Sequence, residues 1–203
     1  MPITASHRGK DIDMLGPPRA TPQLSHEEFA RLIDRHQHPL HVYLAGLIGN
    51  SEQAFDLVQE TFFEAWRAAQ TGAPPFLCGT DDAEIRRWLF RAGSNNAISL
   101  LRHGRLIRWE SLEDVQEQLL GASAFEDHVA ETDALQAALA QLAPQDVACL
   151  LLRVVHGFSA SEVGAILSTA PENVNNRLAR AKQRLRAAYM LQSPTQRKAG
   201  TPS

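Results

Sequence analysis

Apolar residues recur three and four positions apart along most of this chain, the interval that lines up one face of an α-helix. Phe29, Leu32 and Ile33 begin the first stripe, and Leu40, Tyr43, Leu44, Leu47 and Ile48 continue it. Ser25 with Glu28 has the S-x-x-E spacing of a capping box, Gly49-Asn50 marks the stop, and Pro39 is expected to break or kink the helix between its halves. Residues 51–69, capped by Ser51, form a second amphipathic helix lined by Ala54, Leu57, Val58, Thr61, Phe62, Ala65 and Trp66. The pattern stops from Thr71 to Asp82, where Gly72, Pro74, Pro75 and Gly79 mark a loop whose apolar Phe76 and Leu77 either tack it onto the core or line a pocket for a ligand. It resumes over 83–103 with Ile85, Trp88, Leu89, Ala92, Ile98 and Leu101 inward. Residues 104–126 read as a linker. Beyond it, Leu135, Ala138, Leu139 and Leu142 restore the helical interval. Pro144 then opens a helix with Val147, Leu150, Leu151, Val154 and Val155 inward and Gly157 as its stop.

The stretch from Phe158 to Tyr189 is the most informative. Ser159 and Glu162 repeat the capping spacing ahead of a short helix with Val163, Ile166 and Leu167 as its apolar stripe. Thr169 and Glu172 repeat it again, with Pro171 in the first turn, where a missing N–H costs little. Val174, Leu178, Ala181 and Leu185 give the second helix one buried face. Two short helices, a four-residue turn and a polar second helix describe a helix-turn-helix, whose second helix enters the DNA major groove. Asn pairs bidentately with adenine and Arg with guanine, so Asn173, Asn176, Arg177, Arg180 and Lys182 are candidate DNA contacts.

Charge sharpens the picture. From Asn173 to Leu191 there are five basic residues and no acidic one. The whole chain is formally −3, so removing those five leaves −8 for the remainder. Positive charge is therefore placed on a reading helix, and a histone-like, indiscriminate DNA binder is disfavoured. A second basic element lies at 83–103, with Arg86, Arg87, Arg91 and Arg102, and no acid follows Glu84 until Glu110. Asn95 and Asn96 fall inside it, where Asn is a mediocre helix former, which suggests either a specific hydrogen-bonding role or a buried Asn satisfied by backbone. The second helix carries the opposite sign: Asp56, Gln59, Glu60 and Glu64 lie largely off its apolar side, as an acidic surface or a partner-binding face.

The expected fold is all-α: two small helical domains, 25–103 and 127–191, joined by a flexible linker, with flexible tails at 1–24 and 192–203. His36, His38 and His41 cluster around Pro39, but their spacing and the lack of a nearby Cys favour solvent-facing polar groups over a metal site. Cys78 and Cys149 form no zinc or C-x-x-C spacing and are expected to be reduced thiols of a cytoplasmic protein. No apolar run approaches the ~20 residues of a membrane span, and no secretion signal is evident. The residues call for no cofactor, and G-x-S-x-G, H-E-x-x-H and P-loop motifs are missing, which disfavours an enzyme.

Several motifs then agree in order. D-L-V-Q-E-T-F at 56–62 resembles the core-polymerase-binding helix of bacterial sigma factors. W-L-F-R-A-G-S-N-N-A-I-S-L-L-R at 88–102 resembles their promoter-melting segment, L-A-P-Q-D at 142–146 with 151–167 the start of their second domain, and R-L-A-R-A-K-Q-R-L-R at 177–186 its recognition helix. Two domains and a linker are similar to the extracytoplasmic-function, or group IV, sigma factors, over about residues 25–190. The resemblance implies promoter recognition and opening together with bacterial core RNA polymerase, bound through Asp56, Gln59 and Glu60. It implies minus-ten single-strand contacts by Phe76, Arg86, Arg87, Arg91 and Asn95, and minus-thirty-five contacts by the Asn and Arg side chains of the second helix. A linker threading toward the polymerase cleft and an anti-sigma partner are implied as well. The chain departs from the family pattern at Ser168 and Glu172, where Gly is usual, at Asn173, Asn175 and Asn176, at Ser99 and at Val147. These changes bear on promoter sequence more than on fold. A stand-alone helix-turn-helix regulator accounts for 158–189 but gives the first domain no task, and a sigma mimic that binds only protein is a further alternative.

Overall fold

A computed structural model describes residues 24–76, 81–103 and 134–192, and every described element is helical. The first domain holds α1 (His26–Ile48), α2 (Ser51–Gln70) and α3 (Asp82–His103); the second holds α4 (Pro144–Val154), α5 (Ala160–Ile166) and α6 (Pro171–Gln192), preceded by a helical segment at 134–139. The expected linker at 104–126, the residues 127–133 and both expected tails lie outside the described residues, save Leu24 and Gln192 at their edges.

The start of α1 is a complete capping box. Glu28 N–H donates to Ser25 Oγ at 3.2 Å and Ser25 N–H donates to Glu28 Oε2 at 2.8 Å, which satisfies two orphan amides of the first turn. The helix ends at Gly49, whose φ of 73° is the left-handed cap an L side chain resists. Of the expected break or kink at Pro39, the break does not occur: α1 runs unbroken through it. A proline inside a helix costs about 3 kcal/mol. Leu40, Leu44 and Leu47, fully or almost fully buried beyond it, each return about 1.5–3 kcal/mol. Packing wins on that arithmetic. The cap of α2 also differs from expectation: Asn50, not Ser51, accepts the Gln53 N–H at 2.7 Å, and Ser51 is already helical.

The three helices bury Leu40, Tyr43 and Leu44 of α1 with Ala54, Val58, Phe62 and Ala65 of α2 and Leu89, Phe90 and Ala97 of α3. The buried Tyr43 hydroxyl is satisfied in series. Tyr43 Oη lies 2.7 Å from Ser94 Oγ, and Ser94 Oγ donates to the Phe90 carbonyl at 2.6 Å. Burial pushes the Tyr43 phenol well above its ordinary value, so it stays a neutral donor. Two of the histidines are not the solvent-facing groups expected from sequence. His36 is 3% exposed and bonds Asp82 at 3.0 Å, tying α1 to the start of α3, while His41 Nε2 lies 3.1 Å from the Ser51 carbonyl. Apolar neighbours one turn away on each side carry His36 inward, and Asp82 at the start of α3 receives it.

In the second domain α6 packs its Val174, Ala181 and Ala188 inward, with Leu178 and Leu185 half-buried. α4 is buried at every position from Asp146 to Leu152. An amphipathic reading of α4 misses this, because it assumes one covered side. In fact α4 contacts α6 and also α1 and α3 of the first domain, so the two domains share one continuous core. Val154 and Val155, expected inside, are 59% and 51% exposed because the helix stops at Val154 and the chain turns away.

Candidate nucleic-acid interface

The turn between α5 and α6 is built by backbone contact. A second complete capping box opens α5, with Glu162 N–H on Ser159 Oγ at 3.2 Å and Ser159 N–H on Glu162 Oε2 at 2.8 Å. Those hydrogen bonds hold the Glu162 carboxyl below its usual range. The other expected box does not form at its predicted position. α6 begins at Pro171, so Ala170 precedes it and Thr169 stands one residue too early. The Thr169 N–H instead donates to the Gly164 carbonyl at 2.8 Å. A Cβ on Gly164 would sit 2.6 Å from the Thr169 carbonyl oxygen, so the turn can close this tightly only over glycine. Ser168 supplies the bend with a φ of 53°.

This turn sends the start of α6 outward. Asn173, Asn175, Asn176, Arg180 and Lys182 are all exposed. Arg177 is different. Its Nη1 lies 3.0 Å from Asp146 Oδ1 on α4, and Arg184 approaches the other oxygen of the same carboxylate at 3.7 Å. Asp146 is nearly buried, so these two arginines neutralise it and seat α6 on α4. Of the candidate reading residues, Asn173, Asn176, Arg180 and Lys182 face outward, and Arg177 is committed to the fold.

The candidates in the first domain divide the same way. Arg91 and Asn95 are exposed one turn apart on α3. Asn96 turns to α2, donating to Glu64 at 3.2 Å. Phe76, a candidate for contact with single-stranded DNA, is fully buried with its ring edge-on to Trp88 at 4.9 Å. The loop's apolar residue is thus drawn into the core, and no ring face remains for a base. Arg86 and Arg87 point at the second domain. Arg86 Nη2 donates to the His156 carbonyl at 2.7 Å, and Arg87 Nη1 lies 3.4 Å from Glu162 Oε1.

On α2 the expected acidic face is present: Asp56, Gln59 and Glu60 are exposed. Sequence reasoning missed two residues beside them, Phe55 and Phe63, which are 55% and 62% exposed. Their spacing off the buried stripe was the available signal. Aromatic rings flanking carboxylates on a solvent face suit a protein partner.

A helix-turn-helix whose second helix turns basic side chains outward, packed on a three-helix bundle, is the architecture of a DNA-binding protein. The family described as sigma-70 region 2 matches residues 32–107, and that described as sigma-70 region 4 matches residues 132–185. RNA polymerase sigma factor CarQ of Myxococcus xanthus is 30% identical over 161 residues, covering 79% of this chain and 88% of CarQ. ECF RNA polymerase sigma factor SigL of Mycobacterium tuberculosis is 30% identical over 156 residues, covering 76% and 85%. ECF sigma factor SigE of Mycolicibacterium smegmatis is 31% identical over 159 residues, a match that takes in 76% of this chain and 59% of SigE. The chain belongs to the extracytoplasmic-function RNA polymerase sigma factors. Its fold is similar to sigma factor RpoE of Bartonella quintana, solved with the anti-sigma factor NepR, at a TM-score of 0.60, 22% identity and coverage of 80% of this chain and 96% of that one. It is also similar to CnrH, solved with the cytosolic domain of CnrY, at 0.54 and 23%, covering 80% and 88%.

Proposed function

We propose that α2 anchors this sigma factor to core RNA polymerase and that α3 and α6 then engage opened and duplex promoter DNA. What carries the reading is the disposition of charge. Acidic Asp56, Gln59 and Glu60, framed by Phe55 and Phe63, occupy one outward face, and the basic outward faces lie on other helices. Docking through α2 brings the basic faces to the promoter without asking either to bind DNA tightly by itself. Arg91 and Asn95 hold the melted minus-ten strand, with Arg86 and Arg87 one turn earlier on α3. Unstacking a base costs a few kcal/mol, offset by backbone and base contacts. Asn173, Asn176, Arg180 and Lys182 read the minus-thirty-five duplex, where phosphate contacts fix register and base-edge contacts specify.

No helix among the described residues is long and apolar enough to cross a membrane, and we infer that the protein works in the cytoplasm beside the polymerase. RpoE and CnrH are each held by a protein partner, NepR and the cytosolic domain of CnrY. An anti-sigma partner for this chain follows by the same reasoning. The test is a pull-down with purified core enzyme. Asp56→Arg with Glu60→Arg should abolish binding while circular dichroism shows helix content unchanged. Retention of binding would reassign α2.

A further inference from the structure

The outermost ridge of α6 carries no cation; its basic residues flank it. Val174, Ala181 and Ala188 mark the buried line of the helix, with Leu178 and Leu185 half-buried beside them. At about 100° per residue, the positions opposite that line are Glu172, Asn176, Ala179 and Gln183, and all four are exposed. Lys182 and Arg186 stand on one flank of the ridge, Arg180 and Arg184 on the other. Arg180 also lies along its own helix, its Nε donating to the Asn176 carbonyl at 3.3 Å. A helix seated in a major groove turns its central ridge to the base edges and its flanks to the phosphates of the two strands. The side chains of α6 that meet bases are therefore a carboxylate and amides, and its cations are placed for phosphate.

Glu172 is the unusual member of this ridge. It stands in the first turn of α6, and no ion pair among the described residues involves it. An ionised carboxylate only accepts hydrogen bonds, whereas guanine and thymine present only acceptors in the major groove. Opposite either of them the charge loses water and gains no bond, which is strongly unfavourable. Adenine offers its N6 amino group only beside the acceptor N7, so cytosine N4 is the donor that suits a carboxylate. Asn176, one turn further on, has the donor and acceptor that match N6 and N7 of adenine. We propose that Glu172 is a specificity-determining residue that works by exclusion: α6 seats in the groove only where a cytosine amino group meets this carboxylate, with an adenine read by Asn176 within about two base pairs. This rests on the reading of α6 as the minus-thirty-five helix. With no Arg or Lys on the ridge, guanine is not a required base opposite it.

The test is selection by holoenzyme, assembled from core enzyme and the full chain, on a randomised duplex library whose retained DNA is sequenced. The wild type should enrich an upstream site holding a cytosine and an adenine within that spacing. Glu172→Gln keeps the size of the side chain and turns the carboxylate into an amide. Its preference for cytosine should fall about tenfold or more, with adenine enriched at that one position instead. Asn176→Ala should lose the adenine and keep the cytosine. Lys182→Ala should keep both, weaken every sequence alike and make the salt dependence shallower. A carboxylate that serves only the first turn of its helix gives a different result: Glu172→Gln lowers the melting temperature and leaves base preference untouched, which overturns the proposal. A wild-type site without the cytosine overturns it too. Circular dichroism checks that each variant is folded. A wild type that core enzyme does not retain defeats the promoter reading and this proposal together, whereas a holoenzyme that forms and is indifferent to Glu172→Gln defeats this proposal alone.

Discussion

Gly164 shows how much a single hydrogen atom decides. Gly164→Ala would place a methyl 2.6 Å from a backbone oxygen that cannot swing aside, because that oxygen belongs to the turn itself. Loss of about 1–3 kcal/mol is expected despite the ~1 kcal/mol that Ala gains in helix propensity. Urea unfolding followed by circular dichroism reads it. Gly46→Ala makes the contrast, since its new methyl would meet only the flexible end of Leu151. It should be tolerated in the fold. Neither glycine was legible in the chain. Each looks like an ordinary poor helix former until the atom opposite it is known.

At the scale of the element, α6 is both a reading surface and a packed helix, and Arg177 belongs to the second role. Removing it leaves the nearly buried Asp146 with Arg184 alone, at 3.7 Å. Arg177→Ala should therefore cost about 1–3 kcal/mol of stability and weaken all promoter sequences alike. Arg180→Ala, exposed on the outward face, should instead change discrimination at one base position by about 1–3 kcal/mol if it reads a base edge, or lower all affinities if it holds phosphate. Competition binding of holoenzyme to promoter variants, with melting curves alongside, separates the two residues. The periodicity of α6 announced Val174 and Ala181 as buried, because a helix repeats its own geometry. The partner of Arg177 was not announced, because Asp146 lies thirty-one residues earlier and only the packing of α4 on α6 joins them. Phe76 left two readings open, a tack onto the core or a pocket lining, because a hydrophobic residue in a proline-rich loop has no period to say which way it turns; its burial decides for the core.

The whole molecule adds a dependence on pH. Burial, and secondarily the Arg86 charge, push His156 down from its ordinary 6.5 to about 4. The groups facing its ring and carbonyl from the first domain are Tyr43 of α1, which stays neutral, and Arg86 of α3. On its own side Arg153 is turned to the Phe158 carbonyl, and Glu162 is engaged with Arg87. On unfolding, His156 regains its ordinary value and binds a proton that the folded form refuses. Its contribution to stability is therefore fully present above about 6.5 and is lost as pH falls through the window from 6.5 toward 4. At pH 5.5 the unfolded form should gain about tenfold over pH 7.5 from this group. Urea unfolding across that range checks it, and His156→Phe should flatten the response.

What the sequence by itself determined was most of what repeats or caps locally: the helices, the capping box at each of Ser25 and Ser159 though not the caps read at Ser51 and Thr169, the acidic side of α2 and the basic side of α6. Such features depend on residues three or four apart, which a linear chain displays openly. Tertiary structure alone decided which exposed-looking groups are spent inside the molecule. Pro39 is overruled by the core, His36 goes inward to Asp82, Arg177 to Asp146, and Arg86 and Arg87 cross to the other domain. Those choices depend on partners 31 to 75 residues away. A charge or ring is settled by what meets it in space, and no local pattern contains that information.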